Sequence, residues 1–205
     1  MSASSQFSEN ERATVICISS PRSGTQLLRH WFQQQQDFLV LGEIMSASHG
    51  STNLLTYLSI DYTGADKGVG LNAIEKIEKH AVDEGKILFF KAFYNHLKRR
   101  GIYSDMGKLT TGRRVIHLIR PNPLRTYFSF VLAKKTKQWK LTNEKPGSDR
   151  VSIKLNASHF KQWLSDRNAN IKTVRQALIQ NEDIFVEMMY REDVDYPDLL
   201  GRELN

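Results

Sequence analysis

Residues 13–19 read ATVICIS, an almost wholly apolar run, rich in β-branched side chains and too short for an ordinary helix. A strand with no polar face has to be covered on both sides, which is the position of an inner strand in a parallel sheet. The chain then passes through Ser19-Ser20-Pro21-Arg22-Ser23-Gly24 into residues 25–36, where Leu27, Leu28, Trp31 and Phe32 recur at helical intervals. Strand, loop and helix in that order call for a layered α/β arrangement.

The same alternation continues downstream. Residues 38–41 form a second short strand that ends at Gly42, while 53–60 fit either a short helix or a strand. Over 71–83, Leu71, Ile74, Ile77 and Ala81 fall on one helical face. A third strand, 86–92, is announced by Gly85, and a fourth, 114–119 (RVIHLI), stops at Arg120 and the punctuation Pro121-Asn122-Pro123. A helix is predicted from 124 to about 137. A longer amphipathic one follows over 158–180 through Phe160, Trp163, Leu164, Ile171, Val174 and Leu178, with a last strand at 183–189. The expected fold is a single α/β domain over 13–205, with a central parallel sheet of about four to five strands flanked by helices and joined by right-handed crossovers. The polar residues 1–12 are expected to be disordered.

Composition narrows the function classes. With 40% hydrophobic and 25% charged residues, the chain belongs with globular proteins that bury a core. No apolar run approaches the roughly 18 to 20 residues of a membrane span, and the first dozen residues lack the basic and apolar regions of a signal peptide. Cys17, the one cysteine, sits inside the first strand, where a small buried residue is expected and not a catalytic thiol. A reducing, cytoplasmic setting suits this. The formal charge of +7 points to an anionic ligand. Nucleic acid is not the expected partner, because the chain has no zinc-ligand spacing, no RNP-type aromatic motif and no dominant basic block; the basic residues from Lys134 to Lys140 read as a solvated helix end.

In parallel α/β sheets ligands bind beyond the carboxyl ends of the strands, so the loops after Ser19, Leu41, Ala92 and Ile119 are the informative ones. In the first, backbone N–H groups and a helix N-terminus converge on one space, Gly24 permits close approach, Ser23 and Thr25 add hydroxyls, and Arg22 adds a permanent charge. The same residues also suit a plain strand-to-helix turn capped by Ser23 or Thr25. Nothing in the chain reads GxxxxGK[ST], which disfavours nucleotide kinases and NTPases. After the fourth strand, Arg120 offers a bidentate fork for phosphate, shared with the hydroxyl of Ser129; a surface carboxylate partner is the alternative for Arg120. Two anion sites at two strand ends suit a ligand with two separated phosphate groups.

Pro21-Arg22-Ser23-Gly24-Thr25 and, roughly 100 positions later, VIHLIRPNPLRTYFS ending at Ser129 together resemble the two nucleotide elements of the sulfotransferases that use 3′-phosphoadenosine-5′-phosphosulfate (PAPS). The likeness is to the bacterial and carbohydrate-acting form and spans roughly residues 14–191. It implies a P-loop NTPase-like fold with PAPS as sulfuryl donor and no metal. Arg22, Ser23, Gly24, Thr25 and Gln26 would hold the 5′-phosphosulfate, and Arg120 with Ser129 the 3′-phosphate. Lys91 resembles a lysine that contacts the sulfuryl group, although a lysine snorkelling from a strand end would look the same. Small-molecule members carry a catalytic histidine where this chain has Phe93, and their late Arg-Lys-Gly loop is missing, so the adenine contacts stay unassigned. The resemblance implies transfer to a hydroxyl-bearing acceptor, a carbohydrate or related small molecule. The general base it suggests is Glu43, after Gly42, with His49 in reserve; Glu43 could instead cap a helix or pair with Lys91 or Arg22.

Overall fold

The computed structural model describes residues 14–45, 58–60, 70–139 and 152–190. The polar N-terminus, the undecided segment apart from its last three residues, His49 and the loop at 140–150 lie outside these residues.

Five strands form one all-parallel sheet in the order β2-β3-β1-β4-β5. They are β1 Thr14–Ser19, β2 Phe38–Val40, β3 Ile87–Phe93, β4 Arg114–Ile119 and β5 Phe185–Met189. β1 lies in the middle and is buried at all six positions, as its unbroken apolar run requires. Alternate residues of the inner strands feed two cores. On one face Ile16, Ile18, Phe90 and Val115 meet Ile74, Ile77 and Ala81 of α2 (Leu71–Asp83) and Val174 and Leu178 of α6 (Ala157–Gln180). On the other, Val15, Cys17, Phe89, Ile116 and Leu118 meet Leu28 and Phe32 of α1 (Thr25–Gln33). Cys17 is fully enclosed, and burial pushes its thiol up to about 12, which makes it chemically inert.

Among the described residues the other α-helices are α3 (Tyr94–Arg99), α4 (Gly107–Thr110) and α5 (Pro123–Thr136). α5 begins with Pro123 behind Asn122, whose side chain caps the N–H of Arg125 at 2.9 Å; α6 begins the same way, with Asn156 capping His159 at 3.0 Å. Between β3 and β4 the buried guanidinium of Arg113 is held by Glu78 of α2 through contacts of 2.5 and 2.8 Å and by the Leu109 carbonyl. No described helix is long and apolar enough to cross a membrane.

The strand order locates a crevice. From β1 the chain moves to one side of the sheet to build β2 and β3, and then crosses to the other to build β4 and β5. The loops leaving β1 and β4 therefore diverge, and the gap between them, at the carboxyl edge, is the position where open α/β sheets bind ligands.

Candidate functional site

The loop after β1 is held in an unusual backbone shape. Arg22 has φ +69° and Gly24 φ +88°, both in the left-handed region. For Gly24 this costs little, whereas a non-glycine residue in that region is strained and persists where its surroundings hold it. Arg22 is held from both ends. Its carbonyl accepts from Arg120 Nη1 at 3.2 Å, and its guanidinium donates through Nε to Ser129 Oγ at 2.8 Å and through Nη1 to the Trp139 carbonyl at 2.7 Å. Burial lowers the pKa of Arg22, and the charge of Arg120 adds to the effect.

These contacts bring Arg22, Arg120 and Ser129 together in the crevice between β1 and β4. Arg22 itself bridges to Ser129, so the loop after β1 and the helix after β4 are joined by a side-chain hydrogen bond. Arg120 donates to a backbone carbonyl in the other loop, and its guanidinium also lies over the Tyr190 ring, 5.3 Å from the centroid.

The capping reading of Ser23 and Thr25 is not realised. Gly24 is the N-cap of α1, with no side-chain cap, and Ser23 Oγ meets Ser20 Oγ at 2.8 Å instead. Among the described residues no side chain caps the start of α1, where Thr25 and Gln26 carry the first N–H groups. A Cβ built on Gly24 would lie 2.2 and 2.4 Å from ring carbons of Tyr190. Tyr190 reaches that point because its N–H donates to the Ile119 carbonyl at 2.7 Å and carries the β4–β5 ladder one residue further.

Glu43 and Lys91 occupy the other side of β1. The ladder between β2 and β3 runs past Val40 through Leu41 N–H to the Phe89 carbonyl, 2.8 Å, and Lys91 N–H to the Gly42 carbonyl, 3.1 Å. That register sets Glu43 beside Lys91, with Nζ 3.4 Å from Oε1. The lysine side chain is 1% exposed and the glutamate 25%, so the carboxylate is the member of the pair that reaches solvent. Burial lowers the Lys91 pKa and the Glu43 charge opposes that shift. The Lys91 ammonium lies over the Phe93 ring, 5.7 Å from its centroid.

Three participants were not singled out from the sequence. Tyr190 follows the last strand and Trp139 ends the described part of its loop, and neither position carries a local signal. Arg167 does carry one. It falls on the apolar stripe of α6 between Trp163 and Ile171, a buried charge where the period calls for a hydrophobic residue.

On the opposite face of the sheet, His117 of β4 meets the Tyr94 hydroxyl at 2.8 Å and lies 3.2 Å from Glu187, which Arg175 clamps at 2.7 and 2.8 Å. Burial lowers the His117 pKa to about 4, so its imidazole is neutral at ordinary pH beside the Glu187–Arg175 ion pair. Among the described residues no cluster of His, Cys, Asp and Glu side chains is placed to hold a metal ion. No protein-family model matches the chain, and no curated protein matches it.

Proposed function

We propose that the chain is a PAPS-dependent sulfotransferase acting on a hydroxyl of a carbohydrate or related small molecule. The observation that carries this reading is the convergence of Arg22, Arg120 and Ser129 with the uncapped start of α1 at the crevice between β1 and β4. Guanidinium forks, a hydroxyl and helix N–H groups are donors suited to a ligand with several phosphate-type groups. The loop at 19–26 resembles that of P-loop-like sulfotransferases and lacks the lysine of a kinase loop.

In this reading the acceptor oxygen attacks sulfur in line with the bridging oxygen of the donor. An S–O bond forms, the bond from sulfur to the bridging oxygen breaks, and 3′-phosphoadenosine-5′-phosphate (PAP) leaves with the electron pair. Arg22, together with Ser23, Gly24, Thr25 and Gln26, stabilises the charge that grows on the leaving oxygen, and no metal is required. The acceptor proton goes to the Glu43 carboxylate. Lys91, almost wholly enclosed, orients that carboxylate at the mouth of β2. The acceptor proton becomes more acidic as the S–O bond forms, which favours its transfer to a carboxylate.

Ligand-dependent melting tests the reading. PAP at about 100 times its Kd should add about 2.7 kcal/mol and raise the Tm of a domain of this size by about 5 to 10 °C. Adenosine 5′-phosphate should give much less, and labelled PAPS should transfer label to a hydroxyl on an acceptor panel. Equal shifts from the two nucleotides would remove the dedicated 3′-phosphate site. A larger shift from ATP with magnesium would replace sulfuryl by phosphoryl transfer, and tight PAP binding without turnover on any acceptor would leave a nucleotide-binding protein.

A further inference from the structure

Three arginines follow one another at the carboxyl edge of the sheet, each fixing a backbone carbonyl of the next loop. Arg167 Nη2 donates to the Arg120 carbonyl at 2.5 Å, Arg120 Nη1 to the Arg22 carbonyl at 3.2 Å, and Arg22 Nη1 to the Trp139 carbonyl at 2.7 Å. A guanidinium has five N–H donors, so one carbonyl contact fixes the group's position and leaves donors for a ligand. The series crosses from α6 to the loop after β4, to the loop after β1, and on to the segment after α5.

Arg167, at its base, is poorly explained by stability. Its residue is 8% exposed and stands on an apolar stripe. Its other contact is neutral, Nη1 to Asn168 Oδ1 at 3.2 Å, and its enclosed Nε meets no acceptor among the described residues. Burial lowers its pKa, and the nearest compensating influence is the hydroxyl of Tyr94, itself held protonated by burial. A buried cation without a carboxylate is costly to the fold, and an apolar side chain would fill the same place at lower cost. What the arginine adds is a fixed Arg120 carbonyl and a third positive charge behind a site that already holds Arg22 and Arg120.

We propose that Arg167 is a positioning residue of the anion site, setting the turn that aims Arg120 and supplying charge that the bound polyanion, and no carboxylate among the described residues, compensates. The inference rests on reading the crevice as the site of a ligand with separated phosphate groups.

The test uses the full chain and PAP, titrated by calorimetry against wild type, Arg167→Met, Arg167→Lys, Arg120→Ala and the Arg167→Met/Arg120→Ala double variant, with ligand-free Tm measured alongside. Arg167→Met should weaken PAP binding about tenfold while leaving the ligand-free Tm unchanged or raised. Arg167→Lys should recover part of the affinity. With Arg120 already replaced, Arg167→Met should cost less than about threefold, because the two act through one turn. If wild type binds PAP and Arg167→Met binds it within about twofold of wild type, the inference falls and the sulfotransferase reading stands. Independent, multiplying effects of the two substitutions, a fall in ligand-free Tm, or failure of Arg167→Met to fold would each mark Arg167 as an ordinary structural residue and overturn the inference. If wild type itself does not bind PAP, the reading of the site fails first and takes this inference with it.

Discussion

Gly24→Ala separates two reasons for a glycine in the loop after β1. The first is the backbone: at φ +88° an alanine pays roughly 1 to 2 kcal/mol for the left-handed conformation. The second is Tyr190. The added Cβ would stand 2.2, 2.4 and 2.8 Å from three carbons of its ring, where carbon atoms settle near 3.5 to 4.0 Å. The ring has to move by more than about 1 Å, and overpacking of this kind costs about 1 to 3 kcal/mol. Gly24→Ala should therefore lose about 2 to 5 kcal/mol. Equilibrium unfolding in urea, run on Gly24→Ala, Tyr190→Ala and the double variant, separates the two terms. With the ring removed, only the backbone cost of roughly 1 to 2 kcal/mol should remain, giving a coupling of about 1 to 3 kcal/mol. An equal loss in both backgrounds would show that Tyr190 does not restrict this position.

Two further outcomes follow from the titrating groups. His96 and His117 are both buried, and burial lowers each to about 4, with Arg99, Arg100 and Lys91 adding to the effect at His96. Because the unfolded chain takes up these protons near pH 6.5 and the native state only near 4, stability should be unaffected by them above 6.5 and fall between 6.5 and 4, by up to roughly 3 kcal/mol for each imidazole. Urea midpoints at pH 7 and 4.5 that coincide would contradict this. Glu43→Gln, read in an assay with labelled PAPS, should leave PAP affinity nearly intact, cut turnover at least about tenfold and remove the acidic limb of the pH–rate profile; a variant that keeps both rate and limb would remove Glu43 as the base.

Where a single physical constraint governs a segment, its bounds were legible. The helix over 71–83 and the strand over 114–119 form where the apolar spacing puts them, because one buried face decides each. Most other ends shift by one to three residues; α1, for instance, stops at Gln33 and not at 36, and β3 runs one residue further to Phe93. α3 and α4 were not anticipated, since helices of six and four residues are too short to display a period. The α/β parallel fold was readable, and so were the loops at the carboxyl ends of the strands; the crevice between β1 and β4 follows from the strand order, which alternation alone does not give. The wiring of the crevice was not. Arg22 and Ser129 are 107 positions apart, and no local pattern says that one donates to the other. Nor does composition reveal that Ser23 turns to Ser20 and leaves the helix uncapped, or that Glu43 meets Lys91, one of several partners open to it.

The central place of β1 also sets a timetable for synthesis. β1 leaves the ribosome well before the two strands it pairs with, Ile87–Phe93 on one edge and Arg114–Ile119 on the other. At about 5 to 20 residues per second, roughly 5 to 20 s separate translation of Ser19 from translation of Ile119. Until Phe93 is made the strand has neither permanent neighbour, and until Ile119 is made it lacks one of the two, so the contacts that complete it span about half the chain. Long-range parallel pairing of this sort folds slowly and exposes sticky edges on the way. A nascent chain halted before Arg114 has β1 bare along one side, so it is a substrate for chaperones or for aggregation until β4 emerges.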